Sequence, residues 1–61
     1  MFVFVIYVDQ SSQWRWRLWA TNNRVIADSG EGYHNLRDCE HAVRLVKQYA
    51  PTAEVQVKRA A

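Results

Sequence analysis

A single cysteine, Cys39, leaves this chain without any internal disulfide, and Pro51 is its one proline. Glycine is nearly as scarce, with Gly30 and Gly32 the two copies. Long apolar runs are missing. The run Phe2–Val8 falls far short of the ~18 residues needed to span a bilayer as a helix. It has no basic stretch before it and no small-residue cleavage site after it, so it is not expected to act as a signal peptide. Cys39, His34 and His41 are the available soft ligands, too few and too scattered for a structural metal. Neither a metal nor any other cofactor is expected, and no membrane partner. An unpaired cysteine without a secretion signal fits a reducing, cytoplasmic setting.

What is present is apolar. Hydrophobic residues make up 49% of the 61, with three Trp, three Tyr and two Phe among them. The length allows one domain, residues 1–61. A chain this short buries only about 60% of the surface it exposes when unfolded. Cores of this size rarely supply more than ~3–5 kcal/mol. With disulfides and metals set aside, association is the remaining source of stability, and a homodimer is expected. The net charge of +2 permits a nucleic-acid partner without arguing for one.

Phe2–Val8 is rich in β-branched and aromatic residues and apolar at both parities, the pattern of a strand covered on both faces. Asp9 to Ser12 are turn formers. From Gln13 to Ala20 the sequence alternates, with Trp14, Trp16, Leu18 and Ala20 on one face and Gln13, Arg15, Arg17 and Trp19 on the other. A two-residue loop at Asn22-Asn23 would pair Ala20 with Val25, Trp19 with Ile26, Leu18 with Ala27 and Arg17 with Asp28. That register puts Leu18, Ala20, Val25 and Ala27 on the core face and sets up an Arg17–Asp28 ion pair on the other.

Asn35 is the expected N-cap of a helix, with Asp38 at its positive end. At 100° per residue, Leu36, Cys39, Ala42, Val43, Leu45, Val46, Tyr49 and Ala50 fill one half of the wheel. Arg37, Glu40, His41, Arg44, Lys47 and Gln48 fill the other, a solvated face, and Pro51 stops the helix. Ala53, Val55 and Val57 alternate with Glu54, Gln56 and Lys58, which predicts a short last strand. The order is β-β-β-α-β. An α+β architecture follows, an antiparallel sheet with one helix packed on one face.

These residues resemble a known family. Tyr7-x-Asp9, Trp14-Arg15-Trp16-Arg17-Leu18, Ala20, Asn22, Ile26-Ala27, Ser29-Gly30-Glu31-Gly32-Tyr33 and the helix with Cys39 and Val46-Lys47 are similar to the YegP-like family of small domains of unknown function. Ser12 and Asn23 stand where that family usually has glycine in its hairpin turns. The resemblance implies two β3-α-β copies joined into one continuous sheet with their C-terminal strands exchanged. Phe4, Ile6, Val55 and Val57 would then lie in the core or the dimer contact. It implies no reaction.

No catalytic residue is assigned. Two helical positions turn by about 200°, so His41 points away from Cys39 and cannot activate it. Cys39 reads as a small core residue. Gly30-x-Gly32 lies between a strand and a helix, but a third glycine and a P-loop lysine are missing and Glu31 would repel an anion. These glycines are expected to supply positive φ where the chain leaves the sheet. The more informative group is Arg15, Arg17 and Trp19 in a row, with Tyr7 beside them. Trp and Arg are favoured anchors for protein partners, and rings beside guanidiniums also serve single-stranded nucleic acid. Dimer packing would use the same residues. The leading expectation is a non-enzymatic homodimeric interaction module that binds a protein partner. A nucleic-acid-binding accessory protein and a phage-type inhibitor docking on a host protein are the alternatives.

Overall fold

The structure, a computed structural model, describes residues 1–60. Three strands, β1 (Val3–Val8), β2 (Trp14–Trp19) and β3 (Val25–Asp28), are followed by helix α1 (Leu36–Tyr49) and a 3-10 turn over Ala50–Thr52. The strands form one antiparallel sheet in the order β1-β2-β3.

Both hairpins close in the same way. Ser12 donates its amide to the Asp9 carbonyl and Asp9 donates to that of Gln13; Asn23 and Ala20 repeat the pattern with Ala20 and Arg24. Each loop therefore holds three residues, and its last one, Ser12 or Asn23, takes a positive φ of 60° or 62°. This is the three-residue hairpin with a left-handed third position. A two-residue loop at Asn22-Asn23 is thus not what forms.

The extra loop residue has a consequence. Trp19 pairs with Val25 rather than Ile26, whereas Leu18–Ala27 and Arg17–Asp28 pair as the alternation predicts. The one-residue mismatch is absorbed by an irregularity at Ile26, between these two stretches. Without that bulge every later residue of β3 would change faces, and Asp28 would stand across from Trp16 in the core. With it, Asp28 faces outward opposite Arg17. Val25, opposite Trp19, moves to the outer face, not the core face that a two-residue loop would give.

The core is small. Trp16, Cys39 and Val43 are buried, with Phe4, Ile6, Trp14, Tyr33, Ala42 and Val46 packed around them. Phe4 meets Trp16 edge to face at 5.7 Å between ring centres, an arrangement worth ~0.5–1.5 kcal/mol beyond its area. Phe4 and Ile6 are thus core residues. The buried Ser29 hydroxyl accepts the Trp16 amide (3.2 Å), and the Ser29 amide donates to the Trp16 carbonyl (2.9 Å). After the loop, Tyr33 exchanges two 2.8 Å bonds with Trp14, so the backbone of β2 stays paired where β3 has ended. The Trp16 indole N–H is buried and makes no hydrogen bond among the described residues.

Helix α1 starts as its sequence predicts. The Asn35 side chain accepts the Asp38 amide at 2.9 Å and donates to the Asp38 carboxylate at 3.1 Å, fixing the first turn from both ends. The glycines behave otherwise than expected, for neither has a positive φ. Gly32 is needed for space: a Cβ there would run into the Gln13 side chain, 2.8 Å from its Cβ.

The expected strand over Ala53–Val57 is absent from the single chain. Ala53 is extended (φ −68°, ψ 136°), and no described residue after it joins the sheet. Val55 and Val57 are 87% and 89% exposed, so neither is a core residue here. A strand needs an edge to pair with, and among the described residues this segment pairs with neither edge of its own sheet.

Candidate functional site

One face of the sheet carries α1, and among the described residues no element covers the other. Directly opposed residues on antiparallel strands share a face. The uncovered face therefore holds Val3 beside Trp19, Val5 beside Arg17 and Tyr7 beside Arg15 from β1 and β2, with Val25 and Asp28 from β3. All four predicted site residues, Tyr7, Arg15, Arg17 and Trp19, are brought together on it.

The two arginines differ in their surroundings. Arg15 donates from Nε to the Asp9 carboxylate at 2.5 Å, the one ion pair among the described residues. The other oxygen of Asp9 accepts the amides of Ser11 (2.8 Å) and Gln13 (3.0 Å), which ties the ion pair to the hairpin turn. The Gln13 amide first, and the Arg15 guanidinium after it, hold the Asp9 carboxyl below its ordinary range. The hydrogen bond to Asp9 raises Arg15 in turn. Asp9 was not among the predicted site residues. An Asp opening a turn of small polar residues is an Asx-turn signature, so the signal was there.

Arg17 lies across from Asp28 in register but does not pair with it. Its guanidinium sits over the Tyr7 ring, 4.9 Å from the centroid, and it makes no ion pair among the described residues. The expected Arg17–Asp28 salt bridge is thus replaced by a cation–π contact toward β1.

Two hollows flank this row. One, about 560 Å³, is lined by Tyr7, Asp9, Arg15, Arg17 and Asp28 together with part of the first turn. The other, about 370 Å³, is apolar and lies among Met1, Val3, Val5, Trp19 and the second turn. Val3 and Val5 were missed as site residues because β1 is apolar at both parities, and only the pairing with β2 shows which parity faces outward.

The chemistry-bearing residues elsewhere are not assembled. Cys39 is fully buried, and burial, with some help from Glu40, pushes its thiol pKa up. His34 and His41 are exposed. Among the described residues no three His, Cys, Asp or Glu side chains cluster. No described helix is long and apolar enough to cross a membrane.

Fold and site together define a small α+β domain with one helix-covered sheet face and one open aromatic and arginine-bearing face. Residues 9–56 match the family described as a domain of unknown function, DUF1508. A UPF0339 protein of Neisseria meningitidis serogroup B is 47% identical over 55 residues, 90% of this chain and 93% of its own length. One from the archaeon Methanosarcina acetivorans is 37% identical over 54 residues, 88% and 91% of the two chains. A solution structure of a protein from Haloferax volcanii superposes with a TM-score of 0.88 at 37% identity, covering 93% of this chain and 95% of that one. The chain belongs to this family, the YegP-like small domains of unknown function.

Proposed function

We propose that this chain is a non-enzymatic homodimeric interaction module that binds a protein partner through its open sheet face. The observation that carries the dimer is uncovered surface. A folded 7.2 kDa chain should expose about 4100 Å², and this one exposes 5396 Å². Its radius of gyration is 13.2 Å, against about 10.5 Å for a compact chain of this length. The surplus of about 1300 Å² exceeds the ~800 Å² that each partner contributes to a standard interface.

Where that surplus lies suggests how a second copy covers it. Val55 and Val57 sit on an unpaired extended tail, and Leu36, Leu45 and Tyr49 remain exposed on the apolar half of α1. The edge of β1 is six residues long and uncharged, whereas β3 is short, bulged and ends in Asp28. An unprotected edge of this kind invites pairing. The tail of each copy would add to the β1 edge of the other, joining two sheets into one.

Exchange at that edge leaves the open face open. Its four side-chain charges balance, Asp9 and Asp28 against Arg15 and Arg17, and a phosphate backbone requires a larger excess of cations. A neutral surface with Trp, Tyr and Arg anchors suits a protein partner better. Catalysis is not part of this reading, since a sealed thiol with a raised pKa is a poor nucleophile.

Light scattering over a dilution series is expected to give about twice the 7.2 kDa chain mass; a folded monomer would refute the dimer. Gel-shift titration with a single-stranded oligonucleotide is expected to show no binding at low salt. Micromolar binding that weakens steeply with salt would replace the protein partner with a nucleic acid.

A further inference from the structure

We propose that the segment docking on the open face carries a carboxylate two to four residues from a bulky apolar side chain, the carboxylate meeting Arg17 and the apolar group entering the hollow between Val3, Val5 and Trp19. This rests on reading that face as a protein-binding surface, and it specifies what the surface recognises.

The charge requirement comes from Arg17. Of the two guanidiniums on the face, Arg15 is held by Asp9, itself anchored on two backbone amides. Arg17 has no carboxylate partner among the described residues. Its position over the Tyr7 ring limits the orientations of its planar fork, and a guanidinium fixed in this way is matched by the two oxygens of a carboxylate. Asp28, opposite Arg17 on β3, sets a limit on the ligand. A single carboxylate approaching from the Tyr7 side satisfies Arg17, but a run of anions would extend over Asp28 and be repelled.

The apolar requirement comes from the neighbouring hollow. About 370 Å³ is enough for one large side chain, and its walls are Val3, Val5 and Trp19 at the far end of the same row. Arg17 and Trp19 leave one strand about 6.8 Å apart, and the Arg17 guanidinium leans further from Trp19, toward Tyr7 beside Arg15. Acidic and apolar side chains two to four residues apart on one segment, each reaching outward from its backbone, bridge this separation. The electrostatic and apolar anchors are thus spaced for one short segment.

The test is to pan random twelve-residue peptides displayed on phage against the full-length chain and to synthesise the most enriched sequence. Enriched peptides are expected to carry Asp or Glu two to four residues from Leu, Ile, Phe or Trp. The synthetic peptide should bind Arg17→Gln about fivefold more weakly, as for an exposed charge pair. Changing its acid to the amide should then cost nothing further on that variant. Trp19→Ala should weaken binding about tenfold. Val5→Asn, a neutral polar change at an exposed position in the same hollow, gives the same readout should Trp19→Ala fail to fold. Peptides that need Trp19 or Val5 but lack an acid, or that bind Arg17→Gln unchanged, would overturn the inference and leave the protein-binding reading standing. Peptides that ignore Arg17, Trp19 and Val5 alike, or no enrichment at all, would overturn both.

Discussion

Replacing Ser12 by glycine should stabilise this protein, and the reason lies in one backbone angle. Ser12 ends the first hairpin loop at φ 60°, and Asn23 ends the second at φ 62°. A left-handed residue with a side chain costs about 1–2 kcal/mol. Glycine removes that cost but loses about 0.4–1 kcal/mol through its freer unfolded chain. The Ser12 side chain is exposed and makes no hydrogen bond, so nothing else is lost. The net gain is about 0.5–1 kcal/mol, or roughly 4–8 °C in Tm for a domain of this size. Asparagine tolerates the left-handed region better than serine, so Asn23→Gly should gain less, about 0–0.5 kcal/mol. Ser12→Val should lose about 1 kcal/mol or more, because a β-branched residue fits positive φ worst. Thermal unfolding at matched chain concentration measures all three, a condition that matters because association makes Tm concentration-dependent. A Tm for Ser12→Gly at or below that of the parent would refute the reasoning. So would a larger gain at Asn23 than at Ser12.

Other variants probe different parts of the molecule. Gly32→Ala drives a Cβ into Gln13 and should cost about 1–3 kcal/mol by chemical denaturation, with partial recovery in Gly32→Ala/Gln13→Ala because only the outer Gln13 atoms are then removed. Cys39 should resist thiol reagents at neutral pH in the folded protein and react promptly in denaturant, since burial both hides the thiol and raises its pKa; rapid labelling of the native chain would contradict the packing. The Asp9 carboxyl is held below its ordinary 3.8, so its contribution to stability is complete above that value and is lost as pH falls through the lower folded-state pKa. Asp9→Asn should therefore flatten the acid limb of a stability–pH profile below about pH 4, and an unchanged limb would place the acid sensitivity elsewhere.

Much of the fold was legible because local patterns carry it. The alternation from Trp14 to Trp19 separated core from outer face, and the 100° periodicity of residues 36–50 placed Cys39 and Val43 in the core. Asn35 could be assigned as the cap from its spacing to Asp38. The loop at Asn23 was less legible, because asparagine fits both two- and three-residue hairpins. The wrong choice displaced Val25 and Ile26 while leaving Arg17–Asp28 correct. Gly32 was misread for a similar reason, since a sequence does not distinguish a glycine needed for φ from one needed for space.

The sequence by itself determined the element order through the helix, the parity of β2, the cap and the family, because each depends on residues close together in the chain. It also brought Tyr7, Arg15, Arg17 and Trp19 under notice. Tertiary structure decided what those residues touch. Pairing with β1 put Tyr7 beneath the Arg17 guanidinium, and the Asp9 turn claimed Arg15, although alternation had matched Arg17 with Asp28. It also decided that Val55 and Val57 find no edge within their own chain. Periodicity states which residues share a face; which neighbour a long, charged side chain reaches across that face is settled only by how the strands lie.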